Sequence, residues 1–414
     1  MTEKRVVVTG MGTVSPLGNS VEQSWQSVID RTSGIGAITH FDASHLQVQI
    51  AGEVRGFEVS SCVDAETVKK TRRMDRFCHY ALGATREAWE QAGLSDIDDT
   101  RRIGVGYGSG IGGLNVQHEN SAQLATRGPR RVNPFYIPMS IGNMAAGVIS
   151  MVFGVKGPNI SLQTACATAN HSIGLSALMI KAGMADVMIS GASEGSVSEI
   201  ALAGFGNMRA LSTRNDEPAA ASRPYDADRD GFVLSEGAAT LVLEDYDHAK
   251  RRGATILCEV LSCGMSGDAY DFVAPDPSGT GAQYAMEMAL SQAGVGAEVI
   301  DYVNTHGTST PAGDIAELRG IHAALGTQAE RAYIGSTKSY HGHLLGATAG
   351  LEAVLTVMAL RHNLVPGNLN LDTPDTELPR MKLPTEHVET PLTTALSNSF
   401  GFGGHNSSLL LRKL

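Results

Sequence analysis

One cysteine of this sequence stands where a sulfur nucleophile could act. Cys166 lies in the segment SLQTACATANHSIG (residues 161–174), after a short apolar run and at the start of a predicted helix. The unpaired N–H groups and the dipole of a helix N-terminus favour a thiolate, and the same N–H groups can stabilise an oxyanion. The small neighbouring residues leave space for a substrate, although the G-x-S-x-G pattern of a nucleophile elbow is absent.

An isolated cysteine is more often a small buried residue than a nucleophile. We assign that structural role to the four other cysteines, which are Cys62, Cys78, Cys258 and Cys263. An odd number of cysteines without regular spacing indicates neither a disulfide framework nor a zinc site.

Two later segments contain groups that could assist Cys166. VNTHGTSTPAGD (303–314) places His306 directly after a predicted strand, and STKSYHGHLLGATAG (336–350) places Lys338, His341 and His343 before a predicted helix. Catalytic side chains of α/β proteins lie on loops at strand ends. A histidine alone is usually structural, but this combination favours catalysis. The pair His341-x-His343 could also bind a metal, yet carboxylates with ligand spacing are missing and Lys338 would repel a cation.

Two glycine-rich segments allow more than one interpretation. SNSFGFGGHN (397–406) could form a mobile gate that contains Phe400 and Phe402, or a simple turn with two core aromatic rings. GVGYGSGIGG (104–113) contains a formal G-x-G-x-x-G, but no acidic residue follows where a ribose contact is expected. We therefore predict tight backbone packing beside a pocket, with Ile111 pointing into it, rather than dinucleotide binding.

The elements that must position these residues alternate between strands and helices, which is typical of an α/β protein. Predicted strands cover 5–9, 103–106, 159–162, 186–190, 238–243, 256–262, 302–305, 333–335, 394–398 and 407–411. Predicted helices cover 21–29, 75–92, 167–182, 280–293, 314–325 and 344–362. A faint repeat relates VVVTGMGTVS to EVLSCGMSGD, and NISLQTACATANHSIGLSAL to AYIGSTKSYHGHLLGATAGL. The repeat predicts two related halves, residues 1–250 and 251–414, with a site between them.

The overall composition excludes several classes of protein. The chain has 414 residues, 42% hydrophobic and 18% charged, which is enough for a large core, and a net charge of −11, which argues against general nucleic-acid binding. The first ten residues, MTEKRVVVTG, do not read as a signal peptide, and no apolar run is long enough to cross a membrane. We expect a reduced cytoplasmic protein.

The chemistry-bearing segments resemble a known family. TACATANHSIG, NTHGTSTPAGD, STKSYHGHLLGATAG and SNSFGFGGHN, in this order, are similar to the signature segments of elongating β-ketoacyl-[acyl-carrier-protein] synthases. The resemblance extends from VVVTGMGTVSPLG to the last strand. Gly-Ile-Gly-Gly at 110–113 and Gly-Phe-Gly at 204–206 look more like type II than type I members.

The resemblance implies a thiolase fold, with two pseudo-twofold αβ halves in five layers (αβαβα), and a homodimer. It also implies a decarboxylating condensation through an acyl-cysteine, with no cofactor beyond the phosphopantetheine of the substrate. Acyl- and malonyl-loaded carrier proteins would be the partners, without nucleic acid or membrane insertion. The implied catalytic residues are Cys166, His306, His343 and Lys338. The N–H groups of Cys166 and Phe402 would form the oxyanion hole, with Phe402, Phe400 and Ile111 as gating residues.

Further roles follow from the same resemblance. Substrate contacts are expected at Thr308, Thr310, Gly401 and Gly403. A monovalent cation, found in some members, would lie near Asn304, Glu352, Ser397 and Asn398. Docking of the acidic carrier is expected at Lys69, Arg72, Arg73, Arg130, Arg131 and Arg209. Two positions depart from the usual pattern: His341 stands where many relatives have Thr, and His405 where Thr or His occurs.

The sequence also bears on several other functions. A degradative thiolase needs a second catalytic cysteine near the C-terminus, and no cysteine follows Cys263. A papain-like protease would not need the second histidine and the lysine. A non-catalytic chain-length factor would lack the nucleophile, which is present as Cys166. A ketosynthase of a polyketide pathway stays open as the alternative.

Overall fold

The computed structural model describes residues 4–414, which form one large mixed sheet covered and divided by helices. The strands are β1 Val6–Val14, β2 Ile35–Ala37, β3 Ile50–Gly52, β4 Ile103–Gly108, β5 Asn159–Ile160, β6 Val187–Glu194, β7 Gly237–Asp245, β8 Cys258–Gly267, β9 Tyr302–Asn304, β10 Tyr333–Gly335, β11 Leu364–Val365, β12 Val388–Glu389, β13 Thr394–Gly401 and β14 His405–Arg412. The α-helices are α1 Val21–Ile29, α2 Ala65–Thr71, α3 Arg76–Ala92, α4 Leu114–Arg127, α5 Tyr136–Ser140, α6 Met144–Phe153, α7 Thr168–Lys181, α8 Glu199–Asn207, α9 Tyr246–Arg251, α10 Thr280–Ala293, α11 Pro311–Leu325, α12 Lys338–His341 and α13 Thr348–His362.

The strand order shows that the two halves share one topology. The large sheet runs β10-β9-β13-β14-β8-β1-β7-β6-β4-β5, and the halves meet where β1 pairs with β8. In the first half β1 is antiparallel to β7, β7 to β6, and β6 is parallel to β4 and β4 to β5. In the second half β8, β14, β13, β9 and β10 repeat the same order and directions. The faint sequence repeat is therefore a structural duplication.

Two helices form the central layer between the halves of the sheet. Helix α7 contacts β4 and β6 of its own half and β8 and β14 of the other, and α13 contacts both β7 and β13. Residues 348–360 of α13 are all buried, as expected for a helix without a polar face. Helices α3 and α10 cover the outer faces of β1 and β8. The predicted arrangement of two αβ halves in five layers is confirmed.

The predicted strands are all present, although several of their ends differ. Strands β6, β8 and β13 extend further toward their C-terminal ends than the sequence predicted, and β5 ends two residues earlier. The helix predicted from residue 344 begins at Thr348, because Leu345 has a left-handed φ of 50° that no right-handed helix accommodates.

Helices α2, α4, α5, α6, α8, α9 and α12 were not predicted from the sequence. Helix α4 carries many polar residues and buries only Val116 and Asn120, whereas α6 is nearly uniformly apolar, so neither shows a clear helical period. In the described part of the chain, none of the helices has the length and apolar character needed to span a membrane.

Candidate active site

Cys166 lies on a 3-10 turn, residues 165–167, that leads directly into α7. Ala165 adopts a left-handed φ of 49°, and the Thr168 hydroxyl stabilises the turn by donating to the Ala165 carbonyl at 2.7 Å. The Ser399 hydroxyl, from β13 of the other half, donates to the Cys166 carbonyl at 2.8 Å. The turn thus presents the sulfur at the boundary between the two halves, with 7% of the residue exposed.

His343 is the nearest ionisable neighbour of the sulfur. Its Nε2 lies 3.0 Å from the Cys166 Sγ, and its Nδ1 lies 2.9 Å from the Thr348 hydroxyl. The backbone of His343 pairs with the segment before β7, since its N–H donates to the Val233 carbonyl and its carbonyl accepts from Ser235. Because a hydroxyl can donate or accept, the Thr348 contact allows either neutral tautomer of His343.

His306 completes a cluster of three reactive side chains. The rings of His306 and His343 are 5.4 Å apart, and the Cys166 Sγ and a ring nitrogen of each histidine all lie within 4.8 Å of one another. Lys338 stands behind His306, with its Nζ 3.4 Å from the His306 Nδ1 and 2.6 Å from the Glu352 Oε1. An ammonium can only donate, so the proton of a neutral His306 sits on Nε2.

Burial determines the charge of this cluster. It lowers the pKa of both His306 and His343 well below the usual value, and the charge of Lys338 lowers them further. Burial also raises the pKa of Cys166 to about 12, although Lys338 and the N–H groups of Phe402 and Cys166 oppose this shift. Burial therefore outweighs the effects of Lys338 and of these N–H groups, and the resting group is the thiol rather than the thiolate expected at a helix terminus. Both histidines are neutral and able to donate an N–H.

The loop between β13 and β14 packs against Cys166. The backbone N–H groups of Phe402 and Cys166 both interact with the Cys166 sulfur and lower the pKa of its thiol, so two donors converge at this sulfur. A Cβ on Gly401 would lie 2.7 Å from the Thr164 carbonyl oxygen, which explains the glycine there. Gly403 adopts a left-handed φ of 82° in the tight turn, and its N–H donates to the Phe272 carbonyl.

A cavity of about 360 Å³ opens onto the reactive cluster. Its lining includes most of the residues predicted from the sequence: Cys166, His306, His343, Thr308, Thr310, Phe400, Gly401, Phe402 and Ile111. The ring of Phe400 lies 5.8 Å from that of His306, and the hydroxyls of Thr308 and Thr310 are 2.9 Å apart. Lys338 and Gly403 do not line the cavity; Lys338 contacts it only through His306.

Comparison with known proteins identifies the family of the chain. Residues 3–249 match the model of the β-ketoacyl synthase N-terminal domain, and residues 257–372 match the model of the C-terminal domain. The chain belongs to the β-ketoacyl synthase family. Its curated relatives include 3-oxoacyl-[acyl-carrier-protein] synthase 2 of Coxiella burnetii (47% identical) and of Vibrio cholerae (48% identical), each covering 100% of both chains.

Solved structures of β-ketoacyl synthases share the fold. A β-ketoacyl synthase from Burkholderia phymatum matches with a TM-score of 0.93 at 35% identity, covering 99% of this chain and 100% of the other. A ketosynthase in complex with its type II PKS acyl-carrier protein, bound to the hexaketide, matches with a TM-score of 0.91 at 29% identity over 100% of both chains. The fold of this chain is the thiolase fold.

Beside Lys338, which stands behind the cluster of Cys166, His306 and His343, several buried oxygen atoms have no hydrogen-bond partner. They are the Asn304 Oδ1, the Glu352 Oε2 and the Ser397 Oγ. Asn398, the fourth residue predicted for a cation, directs its Oδ1 to the Ser408 hydroxyl at 2.7 Å. Uncompensated buried oxygens are unfavourable, and they form the donor set that a hard monovalent cation uses. The residues present fit such an ion.

The six predicted docking residues are all exposed. Lys69 is in α2, Arg72 and Arg73 directly follow it, Arg130 and Arg131 lie on a 3-10 turn, and Arg209 follows α8. The Arg73 guanidinium lies 5.2 Å from the ring centre of Phe135, which brings the end of α2 close to the start of α5. Arg209 adjoins Ala210, which lines the cavity.

His341, one of the departures from the family pattern, is not part of the cavity wall. It is fully buried, with Nδ1 2.8 Å from the Gly342 carbonyl oxygen and Nε2 3.1 Å from the Thr337 hydroxyl. Burial and the nearby Lys338 lower its pKa to about 3, so it is neutral. His341 and His343 are two residues apart but have different partners: His341 contacts Gly342 and Thr337, whereas His343 contacts Cys166.

Sequence reasoning missed two buried carboxylates that hold the loops of this β-ketoacyl synthase. Glu317 accepts the N–H groups of His306 and Gly307 at 2.8 and 2.7 Å. Glu194 accepts N–H groups on the other side of the cavity, and burial raises the pKa of both carboxyls to about 7. The sequence does contain a sign of these buried carboxylates, because each glutamate stands among apolar residues. Glu194 ends the segment VMISGASE, and Glu317 lies on the apolar face of the helical segment PAGDIAELRG.

Proposed function

We propose that this protein catalyses the decarboxylating Claisen condensation of an acyl-[acyl-carrier-protein] with malonyl-[acyl-carrier-protein] to give a 3-oxoacyl-[acyl-carrier-protein] in fatty-acid elongation. The observation that supports it most directly is the Cys166 Sγ 3.0 Å from the His343 Nε2, with His306 beside them at one cavity. Relatives of the same length at 47% and 48% identity bear the name of this activity.

The first step transfers the acyl group to Cys166. The thiol gives its proton to the His343 Nε2 as the sulfur attacks the thioester carbonyl, and the N–H groups of Cys166 and Phe402 stabilise the oxyanion. The intermediate collapses with cleavage of the bond between the carbonyl carbon and the pantetheine sulfur. That sulfur takes the proton from His343, so the histidine is neutral again and Cys166 carries the acyl group.

The second step forms the carbon–carbon bond. The Nε2–H of His306, whose tautomer is set by Lys338, donates to the malonyl thioester oxygen. His343 donates to the same oxygen after its proton has moved from Nδ1 to Nε2, the second neutral tautomer that the contact with the Thr348 hydroxyl allows. Loss of CO2 leaves its bonding electrons on the α-carbon as an enolate, which these two donors stabilise. The enolate attacks the acyl carbonyl, and the Cys166 sulfur leaves as a thiolate that takes up one proton from solvent, the proton that the overall condensation consumes. Lys338 contacts His306 rather than the reacting atoms, so its role is to position that ring.

The substrate reaches this site on a carrier protein. Thr308 and Thr310 line the cavity and would hydrogen-bond the pantetheine arm, and the exposed basic residues near α2 and α5 would meet an acidic carrier. Gly401 and Gly403 let the loop approach the arm closely. One structural neighbour is a ketosynthase in complex with an acyl-carrier protein, which supports this partner. No cofactor is needed apart from the phosphopantetheine of the substrate.

The remaining expectations concern assembly, location and ions. We infer a homodimer, supported by exposed apolar side chains on the segment of α4–α6, namely Leu124, Phe135, Ile137 and Met151. We also infer a cytoplasmic location, and a monovalent cation held by Asn304, Glu352, Ser397 and Asn398. Such an ion would stabilise the loop of His306 electrostatically. A polyketide ketosynthase is the second candidate, supported by the type II PKS neighbour at 29% identity.

Condensation of purified acyl- and malonyl-carrier substrates tests the proposal. Cys166→Ala should give no 3-oxoacyl product, because no sulfur accepts the acyl group. Cys166→Gln should also fail to elongate but keep decarboxylating malonyl-carrier, since the amide imitates an acylated cysteine next to the same two histidines. Full elongation by either variant would refute the role of Cys166, and wild-type protein that condenses no acyl-carrier would refute the function.

A further inference from the structure

The carboxylate of Glu194 lies between two segments of the cavity wall. Glu194 ends β6 and is completely buried. Its Oε1 accepts the Ser109 hydroxyl and the Ile111 N–H, the latter at 3.3 Å. Its Oε2 accepts the N–H groups of Gly110 and Gly346, both at 3.1 Å. One side chain therefore joins the segment after β4 to the turn before α13, which belongs to the other half.

The two joined segments are packed so closely that they have almost no space to move relative to each other. A Cβ on Gly346 would lie 2.5 Å from the Gly110 nitrogen, and a Cβ on Gly110 would lie 2.6 Å from the Glu194 Oε2. The Gln163 amide, three residues before Cys166, donates to the Gly110 carbonyl at 2.9 Å. Both segments are thus fixed relative to the turn of the nucleophile.

The same segments supply apolar wall of the cavity. Ile111 lines the cavity from the first half and Leu345 from the second, while the Glu194 carboxylate itself does not reach the cavity. An acyl chain attached to Cys166 would lie against these side chains in the cavity. Their separation would decide how long a chain is accepted, and it depends on the hydrogen bonds to Glu194.

We propose that Glu194 is a positioning residue that sets acyl-chain selectivity by holding Ile111 and Leu345 in fixed positions relative to Cys166. The inference rests on the proposed condensing function and adds a specificity-determining residue to it. A buried carboxylate that accepts several N–H groups is a strong anchor, because charge-assisted hydrogen bonds exceed neutral ones. Glutamine in its place has nearly the same shape, but its NH2 group replaces one of the two accepting oxygens. That NH2 group would face N–H donors and could not accept their hydrogen bonds.

The test measures kcat/KM for short, medium and long saturated acyl-carriers with saturating malonyl-carrier. We define the chain-length ratio as kcat/KM for the most favoured acyl-carrier divided by kcat/KM for the least favoured one. In Glu194→Gln this ratio should fall roughly tenfold, which is the effect of one lost hydrogen bond to a charged group. The KM for malonyl-carrier should stay unchanged. Equal loss of kcat/KM at every chain length would overturn the inference while leaving the proposed function intact; failure of the wild type to condense would refute the function itself.

A matched control separates selectivity from general loss of stability. Glu53 is another fully buried carboxylate that accepts backbone N–H groups, from Thr39 and His40, but it does not line or brace this cavity. Glu53→Gln should lower the melting temperature without changing the chain-length ratio; the same change in ratio as Glu194→Gln would contradict the inference. If Glu194→Gln does not fold, Ser109→Ala removes one partner of the carboxylate, and an unchanged ratio in that variant would overturn the inference.

Discussion

At the residue scale, Cys166, His306 and His343 are uncharged because burial destabilises the charged form of each group. The stabilisation that neighbouring groups give to those charged forms is smaller than this desolvation cost. His306 and His343 are neutral beside the ammonium of Lys338, and Cys166 is a thiol beside two N–H donors. A neutral cluster suits the proposed chemistry, since charge appears only as the oxyanion and the enolate form. The donors are already in place when it does, so little reorganisation is needed.

The first residue-scale prediction concerns Ile111. Because Ile111 lines the cavity beside Leu345, Ile111→Phe should exclude medium and long acyl chains and spare short ones. Overpacking costs about 1–3 kcal/mol, which corresponds to a loss of about five- to 150-fold in kcat/KM for the excluded chains. Steady-state kinetics with acyl-carriers of graded length measure this, and an equal loss at every length would contradict the role of Ile111.

At the element scale, the duplicated halves use the same turn for different purposes. Residues 165–167 lead into α7 and residues 345–347 lead into α13, and the first residue of each turn has a left-handed φ near 50°. One turn places Cys166 at the position where the other has Gly346, and Gly346 packs against Gly110. Cys166 therefore comes from one half and both histidines from the other, which is why the candidate site lies between them.

A prediction at this scale concerns Glu87, which connects three elements. It lies on α3, and its carboxylate accepts the N–H groups of Thr13 in β1 and Val21 in α1, each at 2.9 Å. Burial raises the pKa of Glu87 from 4.5 to about 7. A group with a raised folded-state pKa stabilises the protein fully below its unfolded pKa, and that contribution is lost as the pH rises through the folded value.

The free energy of unfolding should reveal this contribution. The difference between wild type and Glu87→Gln should shrink by up to about 3 kcal/mol between pH 4.5 and pH 8, since each pKa unit is worth ~1.4 kcal/mol. Urea unfolding at a series of pH values measures it. Glu119→Gln, at an exposed position on α4, is the control and should show no such trend. A difference that grows with pH would refute the assigned direction.

At the scale of the whole molecule, net charge and local charge have opposite signs. The chain carries a net charge of −11, yet exposed arginines and a lysine surround the contact between Arg73 and Phe135. Long-range repulsion of an acidic carrier would thus be offset by a local basic surface. Such a surface raises association rates at low ionic strength and is screened by salt.

Reversal of one charge on this surface tests carrier docking. Arg72→Glu should raise the KM for acyl-carrier roughly tenfold at low salt, because a rim ion pair is replaced by repulsion, and the effect should fade as salt is added. Arg251→Glu changes the net charge equally at an exposed position on α9 and should leave the KM unchanged. An unchanged KM in Arg72→Glu would contradict docking at this surface.

Local sequence by itself determined the elements and the reactive residue types. Alternating apolar runs and helical periods predicted the ten strands of the large sheet, and ordered motifs pointed to Cys166, His306, Lys338 and His343, because side-chain chemistry and short-range periodicity are local properties. Only the tertiary structure decided the ionisation of Cys166, the partners of His341 and the anchoring by Glu194 and Glu317. Those depend on burial and on contacts between residues far apart in the chain, such as Glu194 with Gly346, which no local pattern encodes.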